Sequence, residues 1–354
     1  MTGQILKGSD ITADVDVSCD VCIIGSGAGG AVLAEGLVDR GLKVVMLEEG
    51  GHHTKADFDL QEAHALPMLY QEHGTRATAD LAITILQGRT VGGTTVINWT
   101  TCFRTPDRIL NHWASTHGIE GLGPRDLEPH FQAVEARLSI QEWPVGMINA
   151  NNRALLEGCQ KLGWEATSLR RNVKGCANTG YCGLGCPLDA KQSMLVTYLP
   201  DALEKGLTLL ANVRAERLEV VNNRVVAVHG VVLDPVNERP TARRVTVRPK
   251  VTVSSGGAIN GPALLLRSGL NRNGQVGRRT FLHPVVAMVA LYDQPIHGYY
   301  GAPQSIGSHQ FIDRGPDKVG FFLETPPLQP LLAASAFPAF GKAHHAFMSH
   351  LSHA

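Results

Sequence analysis

The sequence predicts an α/β fold, and three stretches carry that prediction. Residues 20–51, DVCIIGSGAGGAVLAEGLVDRGLKVVMLEEGG, run from a short apolar strand through a glycine turn into a helical pattern, then into a second apolar strand. Residues 207–254 change to period-two alternation, the mark of short strands. Residues 251–269, VTVSSGGAINGPALLLRSG, repeat the strand, turn and helix order.

The first stretch has the spacing of a dinucleotide-binding turn. Gly25 allows the tight turn out of the strand, Gly27 lets backbone approach a pyrophosphate, and Gly30 lets helix and strand pack with no side chain between them. The free N–H groups and positive end of the helix then face phosphate. Glu48, at the tip of the second strand, suits a ribose 2′-hydroxyl. An isolated GxGxxG is weak evidence. Here both strands are present, and Ala34, Leu37 and the stop at Gly41 complete the helix. The acid argues against NADP and leaves NAD and FAD open.

Composition narrows the class. A chain of 354 residues with 44% apolar content can bury a large core, about two domains' worth. Lys+Arg and Asp+Glu are equal at 32 each, so no charge excess points to nucleic acid. The first residues lack the basic end and apolar core of a secretory signal, and no run of about 18 uncharged apolar residues suggests a spanning helix. The expectation is cytoplasmic, with peripheral attachment to a membrane left open. Seven cysteines do not form a secreted disulfide framework. Cys19 and Cys22 would lie on opposite faces of one strand and read as packing.

Taken in order, residues 52–80 read as a surface excursion with helix around Leu60–Tyr70, and His52 and His53 as loop residues. Gly92-Gly93-Thr94-Thr95 is a small-residue loop suited to backbone lying against a ligand, and Asn98 offers an amide beyond it. Helices are predicted across 106–140, one opening at Pro124-Arg125-Asp126, and across 151–162. Cys176, Cys182 and Cys186 sit in a glycine-rich segment. Their spacing is not that of a zinc ribbon and no fourth ligand is local, so no metal is expected. A packed loop is the first reading and a disulfide or redox pair the second. Strands over 207–210, 215–221 and 225–233, with a turn at Asn222-Asn223, then 245–247 and 251–254 separated by Pro249, read as an inserted β-meander. Pro262 would open the helix that follows. Val285–Leu291 is strand-length and would begin a further sheet.

Gly88-Arg89-x-Val91-Gly92-Gly93-Thr94-Thr95-x-Ile97-Asn98 resembles the first signature of the glucose–methanol–choline (GMC) oxidoreductases. Cys102 departs from that pattern. Gly257-Ala258, Pro262, Leu264-Leu265 and Ser268-Gly269 resemble the second signature, with Gly261 and Asn271 as departures. Ala190-Lys191-Gln192-Ser193 and Tyr198-Leu199-Pro200, behind the cysteines, are similar to the branch that includes long-chain alcohol oxidases. The resemblance implies FAD, oxidation of an alcohol CH–OH to aldehyde or ketone, and oxygen, a quinone or a cytochrome as electron acceptor. It implies cofactor contacts from Gly25, Gly27, Gly30, Glu48, Arg89, Gly92, Gly93, Thr94, Asn98 and Gly257. An NAD-dependent dehydrogenase and a non-catalytic flavin-binding subunit are the alternatives.

The expected organisation is an N-terminal extension (1–17), a Rossmann-like FAD-binding domain in two parts (18–110 and 196–282), a helical and cysteine-rich insertion (111–195), and an incomplete α+β substrate domain (283–354). Nothing from Gly315 onward matches the portion in which the family carries its catalytic histidine. His283, alone before an apolar run, reads as structural, so the catalytic residues stay unassigned. The sequence thus reads as the N-terminal part of a longer design, with a partner chain as one source of the remainder.

Overall fold

The computed structural model of the protein describes residues 3–315 and 318–354. Its contacts divide the chain into two units. The first gathers the chain up to Ile97 with Ser193–Ala287, and the second gathers Asn98–Gln192 with Met288–Ala354.

A seven-stranded sheet organises the first unit. Its strands are β1 (Gln4–Leu6), β2 (Val15–Ile24), β3 (Val44–Glu48), β4 (Thr208–Ala211), β5 (Val213–Val221), β6 (Arg224–Leu233) and β7 (Pro240–Ser254). They lie in the order β1-β4-β3-β2-β7-β6-β5. The five from β1 to β7 pair in parallel, and β6 and β5 add an antiparallel edge. The helices of this unit are α1 (Ala28–Val38), α2 (Glu62–Leu69), α3 (Tyr198–Glu204) and α4 (Gly257–Arg267).

Several expectations change at this level. Residues 4–6 are no loose extension, since they form the edge strand of the sheet, and β2 begins at Val15. The 207–210 strand belongs to the parallel layer between β1 and β3, not to the meander. Pro249 does not interrupt its strand. Beyond Val247 the pairing of β7 with β6 has ended while the pairing with β2 continues through Pro249 and Cys19, so the missing N–H falls on an unpaired side. Pro262 lies inside α4, which opens at Gly257.

The core follows from pairing on both faces. A parallel sheet covered by helices needs apolar residues in both directions, and all five residues of β3 are buried. Cys19 and Cys22, though three apart, are both buried in one cluster with Val45, Leu47, Leu210, Val228 and Val245. Burial pushes the Cys19 thiol up to about 11 and the Cys22 thiol higher, the state of packed thiols. Asn222 and Asn223 both take positive φ (50° and 62°), which closes the β5–β6 hairpin with the twist that strands prefer.

The second unit holds helices Asp107–His117, Pro124–Arg137 and Ala150–Leu162, small antiparallel sheets, and a core of Trp143, Ile148, Val173, Ala302 and Ile306. The Pro124 helix starts with Asp126 accepting from the Gly123 N–H (3.0 Å), so the acid at the positive end is in place. Val285–Leu291 forms no strand. Val285, Val286, Met288 and Leu291 are exposed there, and no neighbour among the described residues pairs with the run. Among the described residues no helix is long and apolar enough to cross a membrane.

Two glycines of α1 separate packing from propensity. A Cβ at Gly30 would sit 2.0 Å from the Gly25 carbonyl oxygen, whereas one at Gly36 would meet only the tip of the Arg40 side chain at 3.4 Å. Gly30→Ala should lose about 1–3 kcal/mol through overpacking. Gly36→Ala should be neutral or gain up to about 1 kcal/mol. Urea unfolding of the two variants checks this, and equal losses would sink the helix–strand argument.

Candidate cofactor-binding site

The site is built where the parallel strands end. Gly25 turns out of β2 with φ 102°, and a Cβ there would lie 2.5 Å from the Ser255 carbonyl oxygen, so the two glycine turns abut through backbone. Ser26, fully buried, is the hub. Its N–H and hydroxyl donate to Glu48 Oε2 at 2.9 and 2.6 Å, and its oxygen accepts from the Gly92 N–H at 3.0 Å. Glu48 Oε1 takes the Gly50 N–H at 2.8 Å. One carboxylate thereby ties the first turn, the end of β3 and the second glycine loop.

The second loop is packed as closely. Gly92 and Gly93 both have positive φ (95° and 58°), and a Cβ on Gly93 would lie 2.8 Å from the Gly27 Cα. A Cβ on Gly27 itself would meet nothing nearer than 4.0 Å. That opening is the close-approach position expected of the middle glycine. A Cβ on Gly88 would strike the Gly93 carbonyl carbon and the Thr94 nitrogen at 2.7 Å, and the Thr94 hydroxyl accepts from the Gly88 N–H at 3.1 Å.

Between these segments lies a cavity of about 660 Å³, within the common range of about 300–1,000 Å³ for small-molecule and cofactor sites. The starts of α1 and α4 both line it, through Ala28 and Gly29 and through Ala258 and Ile259. Neither helix has a side-chain cap or an acid in its first turn. Two uncapped, positively polarised ends facing one cavity suit an anionic ligand.

The charges agree. Arg89 is 9% exposed, touches Glu238 from the β6–β7 loop, and leaves its Nε buried without a partner among the described residues. Burial lowers its pKa, opposed by Glu49 and Glu48. Arg76 spans Gln87, Asn260 (3.0 Å each) and Glu72 (2.7 Å) on the same wall. Burial pushes the Glu48 carboxyl above the ordinary carboxylate range, against its three hydrogen bonds.

Of the residues singled out in the sequence, Gly25, Gly27, Glu48, Arg89, Gly93, Thr94 and Gly257 line this cavity. Gly30 and Gly92 are not among the lining residues, but Gly30 packs against the Gly25 carbonyl and the Gly92 N–H donates to Ser26. Asn98 is not among the lining residues of the cavity either. Asn98 belongs to the second unit, where its main-chain carbonyl accepts from Lys191 at 2.6 Å and its side-chain Oδ1 is buried without a partner among the described residues. Sequence reading missed Ser26, Arg76, Gln87, Arg214 and Asn260. Ser26 carried a signal, being the one hydroxyl inside a glycine turn. The others become neighbours only through contacts distant along the chain.

The chain is similar to known proteins of one family. A family model described as GMC oxidoreductase matches residues 66–285. An uncharacterized GMC-type oxidoreductase of Mycobacterium tuberculosis is 32% identical over 91% of this chain and 50% of its own length. A long-chain-alcohol oxidase of Arabidopsis thaliana is 35% identical over 76% of this chain and 36% of its own. Pyridoxine 4-oxidase from Mesorbium loti superposes with a TM-score of 0.54 at 25% identity, covering 71% of this chain and 52% of that one. The chain spans about half the length, or less, of these relatives.

Glu48→Gln tests the hub. A folded pKa raised above the unfolded one means the native state binds the proton more tightly. This group's contribution is therefore fully present below the ordinary carboxyl value near 4.5 and is lost as pH rises through the folded pKa. The amide that replaces the carboxylate would set one donor against the donors of Ser26 or Gly50, costing about 1–3 kcal/mol. Urea titrations from mildly acid to neutral pH should show that loss and a flatter pH slope. An unchanged slope would remove Glu48 from the linkage.

Proposed function

This chain belongs to the GMC oxidoreductase family, and we propose that it forms the FAD-holding portion of an enzyme that oxidises the CH–OH group of an alcohol to an aldehyde or ketone. The observation that carries the reading is the convergence of two uncapped helix starts and three glycine-rich segments on one cavity. The cofactor of the family is FAD. A dinucleotide of that kind needs anion-binding backbone for its pyrophosphate, an acceptor for its ribose and a flat backbone wall for its rings.

In this assignment the N–H groups of Ala28 and Gly29 hold the pyrophosphate, as expected of the positive end of α1. Glu48 accepts from the ribose. A carboxylate has about four acceptor positions, and the Ser26 and Gly50 donors occupy three of them. Arg89 supplies the buried cation, and Gly93 and Thr94 the wall. When bound, the flavin supplies the hydride acceptor. The relatives named long-chain-alcohol oxidases support an alcohol as substrate and oxygen as acceptor. His283 lines the cavity and is given no catalytic role.

The chain as it stands should take up FAD, seen as a flavin absorption spectrum that survives gel filtration and as quenched flavin fluorescence. NAD should not compete. Gly93→Ala, which puts a methyl 2.8 Å from Gly27, should weaken FAD binding about tenfold or more, a loss of about 1.4 kcal/mol. Tight NAD binding without flavin would replace the FAD reading with that of a pyridine-nucleotide enzyme.

A further inference from the structure

The second unit contains a second, much smaller cavity, of about 20 Å³, that the flavin reading does not use. Cys176, Cys182 and Cys186 all line it, together with Lys191, and none of its lining residues is a carboxylate. All three thiols are free and half-buried. Two buried cations stand against them. Arg171 is fully buried, and its Nη2 reaches the Cys182 sulfur at 3.6 Å. Its guanidinium lies 4.8 Å from the Trp143 ring centroid, and its Nε and Nη1 have no hydrogen-bond partner among the described residues. Lys191 is 3% exposed, with its ammonium on the carbonyls of Asn98 and Cys182 at 2.6 Å each.

Positive charge without a carboxylate, set beside accessible sulfur, is the environment in which cysteines react. We propose that Cys182 and Cys186 form a peroxide-responsive dithiol site, with Cys182 the attacking sulfur and Cys186 the resolving one. Cys182 is the one of the three that carries the Arg171 donor. Cys186 follows it across a short turn (Cys182–Leu184) and Gly185, whose φ of 86° bends the chain back to the same cavity. Cys176 is set apart. Its S–H is directed at Asn178, and burial pushes its thiol up, away from the reactive anion. The Lys191 ammonium, pushed down to about 8 by burial, lines the same cavity and grips the main-chain carbonyls of Asn98 and Cys182, so a bond between the two sulfurs forms beside the group that ties these segments.

The chemistry balances with hydrogen peroxide as the oxidant. The Cys182 sulfur bonds to one peroxide oxygen and the O–O bond breaks. The departing hydroxide leaves as water with the thiol proton, and Cys182 becomes a sulfenic acid. The Cys186 sulfur then attacks the Cys182 sulfur, the S–O bond breaks, and the hydroxide leaves as a second water with the Cys186 proton. Two thiols are oxidised to one disulfide, and one peroxide is reduced to two waters. The proposal is independent of flavin binding, since the peroxide is supplied from outside.

Peptide mapping of the intact chain tests it directly. Cleavage after Lys174 and Lys191 leaves all three cysteines on one peptide. Native protein treated with hydrogen peroxide, then alkylated, unfolded and cleaved, should lose two of the three alkylation sites and two hydrogens, with fragment ions placing the bond at Cys182–Cys186. Cys182→Ser and Cys186→Ser should abolish the bond, and Cys176→Ser should keep it. The wild-type map stands on its own if a variant fails to fold. Three alkylated cysteines after peroxide, a bond to Cys176, or a metal ion held stoichiometrically by the three sulfurs would each overturn the assignment.

Discussion

The bond between the Glu48 carboxylate and Ser26 is the constraint on which the first unit's site depends. Three segments distant along the chain must meet at the ends of the parallel strands, and each brings a glycine turn with no side chains to lock it. Backbone turns packed against backbone turns have little apolar area to hold them. A buried carboxylate that accepts from two of the segments, through a hydroxyl that accepts from the third, supplies the missing specificity. The cost is visible in the raised pKa of Glu48, since a buried ion is tolerated only while its acceptor positions are filled. Charge-assisted bonds to N–H and O–H donors are the strong kind, which is why one residue suffices.

Legibility in the sequence followed the range of the interaction. The β2–turn–α1–β3 unit is local, so its spacing alone placed Gly25, Gly27 and Gly30 in the roles the backbone gives them. The hairpin at Asn222-Asn223 was legible for the same reason. The edge strand Gln4–Leu6 was not, because three residues carry no period and become a strand only through pairing with β4. Nor could the period-two pattern say that β4 joins the parallel layer while β5 and β6 form its antiparallel edge. Pro249 misled for a related reason. A proline breaks a strand only where its N–H is needed, and that depends on which neighbour is still paired.

The same distinction separates the found residues from the missed ones around the cavity. Arg76, Gln87 and Asn260 are ordinary polar residues in sequence, and their joint presence on one wall is a property of the fold. Asn98 illustrates the reverse case. The motif that brought it into view is continuous, yet the contact boundary falls at Ile97 and divides the motif between the two units. Contacts follow burial, and Thr101 and Cys102 already bond to residues of the second unit such as Gln304 and Arg170.

What the first unit leaves unsatisfied is as informative as what it satisfies. Helices starting at Glu62, Asp107 and Pro124 carry an acid in the first turn, the usual complement to the positive helix end. The two that open on the cavity have neither acid nor cap, although a capping side chain contributes about 0.5–2 kcal/mol. Arg89 holds a buried Nε without a partner among the described residues, and Glu48 is held above its ordinary range. These deficits line one cavity. An anionic ligand that met the helix ends and the arginine would return that free energy to the folded state in proportion to its binding. The glycines that make the turns possible also leave the donors bare, so cofactor affinity and the stability of the empty site draw on the same few groups.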